Sequence, residues 1–326
     1  MARWIGIIVA TLGAVVLVSL LSTRQGVAPA PGAGAPAGAP PAPGDAGPDA
    51  GADLSGLLSD DPGVRAQTIA GWSEAVEAEG IGPVPRLFAE PGLAEALAAR
   101  AGEVPDDAVR ALGEALAERD EWVERLPALH ARYLSLYLSN PTGERTIMVL
   151  EEFNRFDEDD ARAYLGEPIA ILARHENWKV RYHSVDYAGH YLGASAEPVL
   201  VILTDDERGD IRRRAWIMLA ALRSTGGLDP DWREMPAKVA EGALLAIVMA
   251  DPEAGVAALD EVDADPEWAR ALVAVRGELR RLARGETTPA AIEAEYPIVD
   301  PVYALASEAV RAEKLVTGEH PDLLMY

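Results

Sequence analysis

Glu167-Pro168-Ile169-Ala170-Ile171-Leu172 leads to Val180-Arg181, and Glu197-Pro198-Val199-Leu200-Val201-Ile202-Leu203 leads to Ile211-Arg212. One phrase is written twice. The Glu-Pro starts fall at 167 and 197, an offset of 30, and the aliphatic-Arg pairs at 180 and 211, an offset of 31. A period near 30 residues belongs to stacked helical hairpins, each too small to bury its apolar face alone. In the second copy Ile211, Ala215, Met218, Leu219 and Leu222 fall on one face of a helix. In the first copy Val180, Val185, Ala188 and Leu192 occupy similar places. Pro168 and Pro198 suit a first helical turn, where the missing N–H is one that no carbonyl would have used. The β-branched cluster Val199–Leu203 also admits a strand. Neither copy carries hairpin-turn residues, so helix is expected.

The same grammar extends outward. Asp61-Pro62 opens a helix that is expected to run through Val64, Thr68, Trp72 and Val76 to Gly80. Glu90-Pro91 opens another, ending near Gly102, and Pro105-Asp106-Asp107 a third. Two amphipathic stretches, 121–139 and 145–156, are separated by the turn Asn140-Pro141-Thr142-Gly143. Downstream, prolines at 236, 252, 266, 289 and 301 mark helices over 236–250, 252–259, 266–284, 289–295 and 302–315. The expected body is therefore all-α, an α-solenoid over residues 54–326, with its clearest repeats at 165–224.

Trp178-Lys179-Val180-Arg181 closing at Tyr191-Leu192-Gly193, and Asp210-Ile211-Arg212-Arg213-Arg214-Ala215 closing at Leu219-Ala220-Ala221-Leu222, resemble HEAT repeats. The closest variety is the short bacterial HEAT-like repeat also seen in phycobilisome-lyase-related proteins. The resemblance covers about residues 165–224. It implies an α-solenoid that binds other proteins along a curved face, and it implies no lyase chemistry, because fold does not fix function.

The front of the chain differs. Trp4 to Leu21 is an uncharged run of about 18 residues, long enough to span a bilayer core as a helix. Arg3 precedes it, which favours a cytoplasmic N-terminus and an extracytoplasmic body on a prokaryotic cytoplasmic membrane. Residues 1–24 read as an uncleaved signal-anchor. The alternative is a cleaved signal peptide and a secreted body. Residues 25–53 are almost only Ala, Pro and Gly, a disordered tether with a reach of about 80 Å at about 3.1 Å per residue.

Composition bounds the chemistry. Net charge is −24 over 326 residues, which disfavours nucleic acid and anionic lipid as ligands. There is no cysteine, so disulfides, thiolate metal sites and cysteine nucleophiles are excluded. No phosphate-binding loop appears, and Gly193-Ala194-Ser195-Ala196-Glu197 lacks the last glycine of a nucleophile elbow. His175-Glu176 begins like a zinc-protease motif, but Lys179 stands where the second histidine belongs. His183, Asp186 and His190 share one helix face and are metal-ligating types, although i and i+7 lie about 10.5 Å apart along the axis. A neighbouring helix would have to complete such a site. Their alternative role is hydrogen bonding on a helix surface.

Arg212-Arg213-Arg214 reads either as an anion contact or as a cluster neutralised by Asp205, Asp206, Glu207 and Asp210. Trp72, Trp178, Trp216, Trp232 and Trp268 suit repeat packing or interface anchoring. Together these features point to a tethered, non-enzymatic scaffold without a cofactor, contacting protein partners through Arg181, Tyr182, Tyr187, Tyr191 and Arg212. The alternatives are a metal-dependent enzyme on His183, Asp186 and His190, or a plain spacer.

Overall fold

The computed structural model describes residues 54–80, 82–117, 119–139 and 152–319. The expected anchor (1–24), the linker (25–53), the turn at 140–143 and most of the stretch 145–156 lie outside the described residues. Among the described residues no helix is long and apolar enough to cross a membrane.

The described chain is mostly helical. In order it forms α1 (Pro62–Ser73), β1 (Ala75–Ala78), β2 (Gly82–Pro85), α2 (Arg86–Ala89), α3 (Leu93–Ala99), α4 (Asp106–Leu116), α5 (Asp120–Arg125) and α6 (Pro127–Leu138). Then come α7 (Glu158–Tyr164), α8 (Gly166–Leu172), α9 (Trp178–Tyr187), α10 (Glu197–Leu203), α11 (Gly209–Ala221) and α12 (Ala237–Ala250). The chain closes with α13 (Pro252–Ala264), α14 (Pro266–Ala271), α15 (Arg276–Ala283), α16 (Pro289–Glu295) and α17 (Pro301–Val316).

Proline and aspartate set most of these starts. Asp61, Asp251, Asp265 and Asp300 each accept a backbone N–H from the first turn of the helix they precede. A proline follows each of them at the first helical position. The doubled phrase folds as two hairpins, α8–α9 and α10–α11, with Val199–Leu203 helical.

Three expectations fail locally. The first helix ends at Ser73, and Ala75–Ala78 pairs antiparallel with Gly82–Pro85, Val76 opposite Val84. Pro83 and Pro85 lack the N–H a helix needs, and Gly80 and Gly82 adopt positive φ at the turn. The stretch 121–139 breaks at Leu126 (φ −134°, ψ 46°), because the ring of Pro127 disfavours helical backbone in the residue before it. The stretch 266–284 also breaks, between α14 and α15, where a corner lets Leu272 and Val275 both face inward.

Two apolar clusters meet at α5–α6. The smaller gathers residues 54–129 around Leu57, Leu97, Leu112 and Trp122. The larger runs from Val123 to Leu315 and is centred on α11 and α12. Both central helices are buried over most of their length, and α12 is apolar nearly all round. Each fully buried Leu or Ile contributes about 1.5–3 kcal/mol of transfer free energy. Close approach is set by glycine. A Cβ on Gly242 of α12 would lie 2.9 Å from the Arg213 carbonyl oxygen of α11, and one on Gly255 of α13 2.8 Å from the Val248 Cα of α12. The C-terminal helix α17 returns to pack on α11 and on the turn after α9.

Gly242→Leu is expected to destabilise the protein by about 1–3 kcal/mol, because backbone rather than a flexible side chain must give way. Equilibrium denaturant unfolding of the full chain checks this, with exposed Gly277→Ala as a control of small effect.

Candidate functional site

The face built by α9, α11, α12 and α17 carries the densest polar arrangement of the body. Asp186, on α9, is buried at 4 % exposure. Arg214, on α11, reaches it with Nε at 3.0 Å and Nη2 at 2.7 Å from Oδ1, and with Nη2 at 2.5 Å from Oδ2. Arg311, on α17, donates Nη2 to Oδ2 at 2.8 Å. One carboxylate therefore ties three helices. Arg214 also donates Nη1 to the Tyr182 hydroxyl at 2.5 Å. Next to it, Arg213 pairs with Glu308 of α17 and lies 3.9 Å from Glu241 of α12, which Lys238 also holds at 2.8 Å. Beside this network opens a groove of about 520 Å³, bordered by Tyr182, Asp210, Arg213, Pro236, Lys238 and Glu308.

A second lock joins the two hairpins. Arg181 of α9 donates Nε to Asp206 Oδ2 at 2.6 Å and Nη2 to Glu207 at 2.8 Å, across to the loop before α11. Its Nη1 also reaches the carbonyls of His175 and Glu176. Three of the four acids expected to neutralise Arg212–Arg214 are thus engaged elsewhere: Asp206 and Glu207 with Arg181, and Asp210 with Arg208. Distant acids neutralise Arg213 and Arg214. The side chain of Arg212, at the place in the second copy that Arg181 holds in the first, has neither an ion pair nor a hydrogen bond among the described residues. The next loop offers Pro236 and Ala237 where an acid would be needed.

The suggested metal ligands do not converge. Asp186 is committed to two guanidinium groups, His183 and His190 are only half-buried, and no three ligand side chains among the described residues are arranged to hold a metal ion. Burial lowers the pKa of His183, with Arg214 and Arg311 adding to the effect against Asp186. Burial likewise lowers that of His190. His175 instead accepts the Asn177 N–H on Nδ1 at 3.0 Å, shaping the turn into α9.

Of the suggested contact residues, Arg181 and Tyr191 are buried, and Tyr191 donates to Asn154 at 2.6 Å. Tyr187 stacks on Tyr191 and meets Phe153 edge-on. Tyr187 and Tyr191 pack against neighbouring rings, and Arg181 is held in the lock between the hairpins. Tyr182 and Arg212 remain half-buried on the surface. Trp178 is the exposed tryptophan, with the Arg208 guanidinium 4.0 Å above its ring. Trp216 and Trp232 are core. Sequence reading missed Arg214, Glu308 and Arg311 as a unit. Arg311 lies 125 residues from Asp186 and carries no local signal.

A further titratable group is internal to the seam between the clusters. His130 is 1 % exposed, packs between Trp122 and Phe156, and lies 3.2 Å from Glu152 through Nε2. Burial pushes its pKa below the ordinary value, against the pull of Glu152.

Compared with family models, curated proteins and solved structures, the chain has no match.

Asp186→Ala leaves Arg214 desolvated without a counter-charge and is expected to cost about 3–5 kcal/mol, whereas Asp186→Leu with Arg214→Met recovers most of it. Denaturant unfolding of the two variants separates these outcomes. His130 supplies a second test. Its depressed folded pKa favours the neutral ring, so its stabilisation is complete above the unfolded pKa of about 6.5 and is lost as pH falls below it. His130→Phe should flatten the decline in melting temperature between about pH 7 and pH 5. An unchanged slope refutes the assignment.

Proposed function

We propose that this chain is a membrane-tethered scaffold that binds protein through the groove face of its doubled hairpins. The body, in this reading, is a short HEAT-like solenoid whose last helix folds back over α11. The anchor at residues 1–24 and the linker at 25–53 hold it outside the cytoplasmic membrane, where tethering raises its effective concentration toward membrane neighbours.

The single observation that supports this most is the groove of about 520 Å³ beside the Asp186 network. Its walls are rigid, since ion pairs among α9, α11 and α17 fix them, and a fixed wall loses little conformational entropy when a partner docks. Tyr182 and the exposed Lys238 border it. Arg213 and Arg214 of α11 line it as well.

Photo-cross-linking from the full, membrane-inserted chain in its host tests the reading. A benzoylphenylalanine placed at Lys238 is expected to give discrete adducts that Tyr182→Ala diminishes. The same probe at Val64, exposed on the N-terminal cluster, is expected to give none of them. Identical adducts from both positions, or none from 238, would sink the proposal.

A further inference from the structure

We infer that a second groove, between the α11–α12 loop and α13, is a docking site for an extended basic peptide segment of a partner protein. The inference deepens the scaffold reading by naming a partner class, and it rests on a different surface.

The loop joining α11 to α12 spans residues 222–236, far longer than the hairpin loops at 173–177 and 204–208. A long ordered loop in a compact body is more often functional than incidental. Three residues with positive φ, Arg223, Gly226 and Gly227, bend it, and Gly226 lies close against Val201 of α10. Trp232 then pins it back, buried and edge-on to Trp268 with ring centroids 5.3 Å apart. Between this pinned loop and α13 lies an open groove of about 590 Å³. Its deeper residues are small and aliphatic, among them Ile247, Ala250 and Ala258, each half-buried. Its exposed rim carries Asp229, Asp231, Asp251 and Glu261.

The rim has one cation, Arg233, and this side chain indicates what the groove accepts. Its guanidinium lies 4.5 Å over the Trp232 ring, pairs with Glu261 across the groove, and stands 3.9 Å from Asp231. All three charged partners are about half exposed, so water screens the contact and an incoming cation exchanges for it readily. Asp229 and Asp251 have no ion pair among the described residues. Four acids against one arginine leave the groove negative, matching the sign of the whole chain. Charge complementarity therefore selects a basic ligand, and the aliphatic floor selects one with small apolar side chains between its cations. Residues 25–53 contain no lysine or arginine, and residues 320–326 contain none either.

Fluorescence anisotropy with the full chain in detergent micelles tests the site. The probe is fluorescein-labelled Ala-Arg-Ala-Pro-Ala-Arg-Ala-amide, with the Glu-for-Arg peptide as its counterpart. Saturable binding of the basic peptide alone is expected, weakening as salt rises. Asp229→Asn with Glu261→Gln should weaken it about tenfold, and Asp60→Asn with Asp159→Asn, an equal charge change elsewhere, less than about twofold. Ala258→Trp should abolish binding by filling the floor while leaving charge unchanged. Equal loss in both charge pairs would mean general attraction to an acidic body, and it overturns the site. So does spermidine displacing the peptide from wild type at equal concentration, or the absence of peptide binding. Adducts from position 238 that persist in Ala258→Trp keep the scaffold reading separate: either can fail while the other stands.

Discussion

Asp186 is placed where water cannot solvate its charge, and the rest of the body is arranged around that fact. An ionised carboxylate at 4 % exposure is tolerable only with counter-charges and hydrogen bonds in place. Arg214 and Arg311 supply both, from helices that are neighbours only in the folded state. The requirement fixes the rotation of α9 and α11 and brings α17 back across them. The ion pairs Arg213–Glu308 and Arg223–Glu313 repeat the constraint along α17, so this last helix is registered against α11 rather than merely adhering to it.

Apolar packing provides the driving force, and the ion pairs provide position. The α11–α12 contact is long and dry, and Gly242 lets it close to backbone distance. Alanine-rich helices pack closely but slide easily, because small side chains interdigitate shallowly. A buried carboxylate with two directional partners removes that freedom. The same separation of roles explains the grooves. Both lie beside packed helices, but Arg213 and Glu308 at the first are paired with each other, whereas Asp229 and Asp251 at the second have no ion pair among the described residues.

Much of the helical layout was legible from local chemistry. Asp-Pro starts, the doubled phrase and the helical spacing of Ile211, Ala215, Met218 and Leu219 located α8 to α12 closely and the start of α13, which runs on past the expected Leu259 to Ala264. The errors occurred where local preference and tertiary demand disagreed. The helical pattern continues through Val76, yet Pro83 and Pro85 on the facing strand make a hairpin there. Nothing short-range breaks 266–284, and the corner at 272–275 appears because Leu272 and Val275 must both be buried. Of the site, sequence singled out Asp186 and Tyr182 but left the first open between metal ligation and hydrogen bonding. Residue type signals a ligand equally well for zinc or for guanidinium, and only the facing helix distinguishes them.

The sequence by itself determined that the described body is mostly helical and that the chain is acidic and free of thiol chemistry, because capping, periodicity and charge are local or additive properties. The tertiary structure alone decided which acid meets which arginine, that α17 lies on the doubled hairpins, and that the long α11–α12 loop borders a groove. Those outcomes depend on contacts between residues up to 125 positions apart, where one-dimensional spacing carries no information.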